Sequence, residues 1–142
     1  MCYSIHFSTD SSEDFACLET ENFKVCPAEL EPDSAVGRLL GYAHRWHLLS
    51  RHGGCSCHYR HSTDHEFATV QDWYPEDEDD VETTGHAYDL LRRITSDGHR
   101  LDLVDIWSDE PTDNVRSIDV SLSEVQRDQF RFFAGVRFEL TG

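Results

Sequence analysis

The chain has 142 residues, 38% of them hydrophobic, with three Trp, five Tyr and eight Phe, which suffices for one domain with its own core. Its 28 acidic against 12 basic residues give a net charge of −16, and that field repels polyanions, so nucleic acid and anionic membrane surfaces are excluded as partners. No run of ten apolar residues occurs, and the opening has neither a basic n-region nor an apolar h-region. No membrane span or secretory signal is therefore expected, and a cytoplasmic location is. In that compartment an odd number of cysteines, five, predicts free, buried or metal-bound thiols rather than a disulfide framework.

Tyr3-Ser4-Ile5-His6-Phe7 alternates as a strand with Tyr3, Ile5 and Phe7 inward and Cys2, Ser4 and His6 outward. A polar loop follows to Asn22, and then a short strand, Phe23 to Cys26, stopped by Pro27. Asp33-Ser34 caps a brief helix from Ala35 to Leu40 that Gly41 ends. From Tyr42 to His61 the pattern reads as a central β-hairpin turning at Gly53-Gly54, which supplies the two positive-φ positions of a type I′ turn. Counting outward pairs His52 with Cys55, Ser50 with Cys57, Leu48 with Tyr59 and Trp46 with His61 on one ribbon face. His47, Leu49, Arg51, Ser56, His58 and Arg60 take the other face.

A loop from Asp64 leads through the carboxylate run Glu76 to Asp80 into the main helix, whose apolar positions Val81, Thr84, Ala87 or Tyr88, Leu91 and Ile94 keep the helical period before Asp97-Gly98. Arg100 to Trp107 reads as a strand covered on both faces, on which Asp105 demands an Arg, a metal or a bulge. Val115 to Ser121 is a further strand. Ser121-Leu122-Ser123-Glu124 has capping-box spacing for a short helix to about Gln129, and Phe132, Ala134, Val136, Phe138 and Leu140 alternate as a last strand. The predicted architecture is a single α+β domain over residues 1–142, with a mostly antiparallel sheet, one main helix and one or two short ones.

Charge is segregated along the chain. Ser34 to Thr63 holds no acidic side chain but carries Arg38, Arg45, Arg51 and Arg60, five histidines and the pair Cys55 and Cys57. Such segregation marks a site or an interface, with Arg45, His47, Arg51, His58 and Arg60 as the candidate interaction surface. The cysteine pair admits three readings. On a strand, i and i+2 thiols share a face with Cα atoms roughly 6.6 Å apart, near enough for a Zn²⁺ ion to draw the sulfurs together, with His52 as third ligand and His61 or the more distant Cys26 as fourth. Alternatively, His52, His58 and neighbouring arginines lower a thiolate pKa for redox or nucleophilic chemistry. The third reading places both thiols as small buried core side chains beside Trp46, Leu48 and Tyr59.

Gly53-Gly54-Cys55-Ser56-Cys57 resembles the G-G-C-x-C opening of the glutathione-dependent formaldehyde-activating family, whose zinc ligands begin with such a pair. The resemblance covers these residues alone, since Cys57 is the last cysteine where that family has more downstream. The Met1-Cys2 start resembles class II glutamine amidotransferases, which continue with Gly where this chain has Tyr3. His6, some 13 Å along the strand, is out of reach as a local base for Cys2. The sequence thus supports a small binding or regulatory module with a basic, His/Cys-rich hairpin. Zn²⁺ steadies that hairpin but is not required, and the partner is a protein, a second copy of the chain or a small anionic ligand. The alternative is a thiol-dependent enzyme using Cys55 or Cys57 with His52 or His58.

Overall fold

The computed structural model describes residues 2–16, 18–31, 33–50, 55–107 and 111–142. Within them the chain forms β1 (Tyr3–Thr9), β2 (Phe23–Pro27), α1 (Ala35–Leu39), β3 (His44–Ser50), β4 (His61–Ser62), α2 (Glu78–Ser96), β5 (Leu101–Trp107), β6 (Arg116–Ser121), β7 (Phe132–Phe133) and β8 (Val136–Thr141). Six strands make one sheet in the order β2-β3-β1-β5-β8-β6, and β4 and β7 pair separately. Four of the five pairings in the large sheet are antiparallel; β6 runs parallel to β8. This is the single-domain α+β fold that the pattern of short strands around one long helix predicts.

The sheet is covered on both faces. Ile5 and Phe7 of β1, Leu48 of β3, Leu101 and Leu103 of β5 and Phe138 and Leu140 of β8 pack against Ala87, Leu91 and Ile94 of α2 in the main core. Fully burying each Leu, Ile or Phe among them contributes roughly 1.5 to 3 kcal/mol. α2 begins at Asp77, whose carboxylate accepts from the Asp79 N–H, and Glu78, Asp79 and Asp80 occupy the first turn, where the helix dipole favours them. Val104, Ile106 and Leu40 form a smaller cluster on the opposite face with Val36 and Leu39 of α1. His6, expected to face outward, is therefore buried, at 8% exposure, and Ser8 beside it is fully buried.

Three local expectations are corrected. Residues 55–60 are not a strand, because β3 already spends one edge on β2 and the other on β1. The expected pairs of Ser50 with Cys57, Leu48 with Tyr59 and Trp46 with His61 therefore do not form, and Arg51 to Gly54, with the pairing of His52 to Cys55, lie outside the described residues. After Ser121 the chain makes only a 3-10 turn, Leu122–Glu124, with no side-chain cap. The last strand is broken at Gly135, whose φ of +73° lets β7 turn away from β8 and pair in parallel with β4.

Candidate functional site: a three-thiol cluster

Ser56 builds the site. β1 and β3 are in register only as far as Ile5 and Leu48, and Ser56 enters where they part. Its N–H donates to the Tyr3 carbonyl at 3.0 Å, its hydroxyl accepts from the Ile5 N–H at 3.0 Å, and that hydroxyl also donates to the Leu48 carbonyl. The Ser50 N–H closes on the Cys55 carbonyl at 3.1 Å. With Ser56 fully buried between the strands, its neighbours Cys55 and Cys57 turn the other way and meet Cys2, the residue before β1. The Sγ atoms of Cys2, Cys55 and Cys57 all lie within 4.8 Å of one another.

All three thiols are half-buried, and none is in a disulfide; Cys26 is likewise free. Burial raises the Cys55 thiol, but the Cys57 N–H and the Cys57 and Cys2 thiols donate towards its sulfur and bring it below the ordinary cysteine value. Cys57 is pushed up to about 11 by burial and by its hydrogen bond with Cys55, against an opposing N–H from Tyr3. Of the three sulfurs, Cys55 and Cys57 each receive a backbone N–H, a contact that favours the thiolate form.

His61 does not join the sulfurs. Its Nδ1 lies 2.5 Å from Asp105 Oδ2 and its Nε2 lies 2.7 Å from the Ser56 carbonyl, so Nε2 carries a proton and donates there. The imidazole stacks on Tyr3 with ring centroids 3.7 Å apart and planes 9° from parallel. The buried Asp105, conspicuous on its apolar strand, thus finds its partner in His61. That pair supports the carbonyl between the two cysteines. His52, the other predicted ligand, lies outside the described residues, as does Arg51.

The predicted cationic surface is largely spent inside the protein. Arg60 is only 3% exposed; its guanidinium meets Glu76 at 2.8 and 3.0 Å and donates to the Asp128 and Ala68 carbonyls. Arg45 donates to the Tyr42 and Leu40 carbonyls. His47 is half-buried and stacked on His6 with centroids 4.2 Å apart. Burial lowers His47, while burial and then His47 bring His6 down to about 3, so both rings are neutral at pH 7. His58 is exposed, with Nδ1 3.6 Å from Asp80.

Cys2 is the member that sequence reasoning missed. The alternation of β1 showed only that it sits at a strand end, and no local pattern tied it to residues more than fifty positions later. No known protein family, curated protein or solved structure matches the chain. Among the described residues, no helix is long and apolar enough to cross a membrane.

Proposed function

We propose that the chain is a small binding or regulatory module whose site is a metal centre, with Cys2, Cys55 and Cys57 holding one Zn²⁺ ion as thiolates. The observation that carries this reading is the convergence of three sulfurs within 4.8 Å. In a tetrahedral centre with Zn–S bonds of about 2.3 Å the sulfurs stand about 3.8 Å apart, so the thiols need close by only about 1 Å. Three protein ligands leave a fourth position for water or an added ligand. Binding ties the start of β1 to the segment after β3, and because it must strip the proton from Cys57, affinity falls as pH falls.

The test is metal analysis of protein purified without a histidine tag, before and after exhaustive dialysis. One equivalent of zinc should persist, and Cys2→Ser or the double change Cys55→Ser with Cys57→Ser should lose it, while Cys26→Ser keeps it. A metal-free protein whose melting temperature ignores added Zn²⁺ would overturn the reading. A second reading, a thiol-dependent enzyme, draws on the lowered Cys55 thiol. It requires metal-free protein in which iodoacetamide at pH 7 modifies Cys55 well before Cys57.

A further inference from the structure

A cavity of about 290 Å³ lies under the loop that joins β4 to α2. This loop is held by buried charge rather than by secondary structure. Arg131 donates to the Ala68 carbonyl at 2.7 and 3.0 Å and, with Arg60, grips Glu76. The Tyr74 N–H closes a turn on the Gln71 carbonyl at 3.1 Å. At that turn Trp73 and Tyr74 stand 81% and 65% exposed, and both line the cavity. A loop anchored at Ala68 and Glu76 that shows its two largest aromatic rings to solvent has the form of a recognition element.

The remaining groups of the cavity define the ligand. The Arg131 donors are committed, both ring nitrogens of His61 are engaged, and the Gln71 amide donates to the Thr69 carbonyl at 3.1 Å. Asp64 and Glu66 are exposed and make no hydrogen bond or ion pair among the described residues. What the cavity offers is two carboxylates and two π faces, with the Ser62 and Thr63 hydroxyls as further acceptors, and together these favour a hydrogen-bond-donating cation. A planar guanidinium satisfies both, stacking on the rings while donating to the carboxylates. The acidic surface runs on past the cavity through the exposed Asp72, Asp77, Glu78 and Asp79, so the complementary partner carries more than one positive charge. The net charge of −16 steers such a partner in.

We infer that this cavity receives an arginine side chain from a basic segment of a partner polypeptide, with Trp73, Tyr74, Asp64 and Glu66 as its recognition groups. The site is separate from the thiol cluster and does not rest on the metal reading. The test titrates a capped peptide, acetyl-Gly-Arg-Gly-Arg-Gly-amide, into the ¹⁵N-labelled full chain at low salt, with the citrulline peptide as the uncharged control. The Trp73 indole resonance should shift saturably with the arginine peptide alone. Trp73→Ala should weaken binding about fivefold and Asp64→Asn with Glu66→Gln about tenfold or more. Asp119→Asn with Glu124→Gln, exposed charges away from the cavity, should change it less than about twofold. Circular dichroism melts verify that each variant is folded. An equal loss in the Asp119 and Glu124 variant would reduce the effect to overall charge and overturn the inference, as would a silent Trp73 indole or equal binding of the citrulline peptide.

Discussion

Replacing Glu76 by Gln should be among the most costly conservative changes in this protein. Its side chain is 12% exposed and lies between two guanidinium groups that are themselves 1% and 12% exposed, Arg60 at 2.8 Å and Arg131 at 2.5 Å. Glutamine keeps the shape and removes the only carboxylate that either group meets among the described residues, leaving two buried cations with carbonyl oxygens there. Breaking a buried pair from one side costs roughly 3 to 5 kcal/mol. Because Arg60 retains the Asp128, Phe130 and Ala68 carbonyls, the lower end applies, about 3 kcal/mol. For a chain of this length that is a fall in melting temperature of roughly 9 °C.

The pH dependence of this loss has a definite sign. Burial raises the Glu76 carboxyl, but hydrogen bonds and charge from Arg60 and Arg131 outweigh it and hold the group below the usual value. The unfolded chain therefore takes up the proton first as pH falls, and the stabilisation, complete above the ordinary glutamate range, is lost as pH drops through the depressed pKa. Urea denaturation of wild type and Glu76→Gln from pH 7 to pH 3 should show a gap of about 3 kcal/mol that narrows on acidification below the ordinary glutamate range. A gap under 0.5 kcal/mol at pH 7, or one unchanged at pH 3, would refute the electrostatic account of this loop; about 0.5 kcal/mol is the scatter of neutral surface changes.

Three further outcomes are expected. Zinc affinity, followed by competition with a chromogenic chelator, should fall steeply between pH 8 and pH 6 and release protons into weakly buffered solution, because Cys57 sits near 11 before binding. Asp105→Asn should destabilise by about 1 to 3 kcal/mol in urea melts, since the His61 imidazole loses its carboxylate 2.5 Å away. The same change should weaken metal binding about tenfold by loosening the Ser56 carbonyl that His61 holds. Wild type should lose stability on acidification from about pH 6.5 towards 3, where the unfolded chain holds a proton that buried His6 refuses. His6→Phe should remove a slope of up to about 1.4 kcal/mol per pH unit from that window.

The thiol cluster, the His61–Asp105 pair and the Arg60–Glu76–Arg131 clamp follow one pattern. Each uses buried polar chemistry to fix a stretch of chain that has no ladder of its own. β3 gives both edges to neighbouring strands, so the segment from Cys55 to Arg60 has no free strand beside it and is held by side chains instead: Ser56 between β1 and β3, the Tyr59 hydroxyl on the Leu49 carbonyl at 2.9 Å, and the Arg60 N–H on the Thr84 hydroxyl at 2.8 Å.

What the sequence determined by itself was the local and periodic part. The alternation of Tyr3, Ile5 and Phe7 identified β1, the Ser34 cap started α1 with its hydroxyl accepting from the Gly37 N–H at 3.0 Å, and the acidic run followed by Leu91 and Ile94 marked α2. Cysteine spacing pointed to Cys55 and Cys57, and the isolated Asp105 announced a partner without naming it. The tertiary structure decided everything that depends on distant residues sharing space. It gave both edges of β3 to other strands and so removed the hairpin, because a strand has only two edges and local turn signals cannot report which are taken. It assigned His61 to Asp105 rather than to the sulfurs, buried Arg60 where charge counting had put it on a surface, and added Cys2 to the thiols. Each of these contacts joins residues far apart in the chain, and a pattern read over a few neighbouring positions holds no information about which distant side chain fills the facing volume.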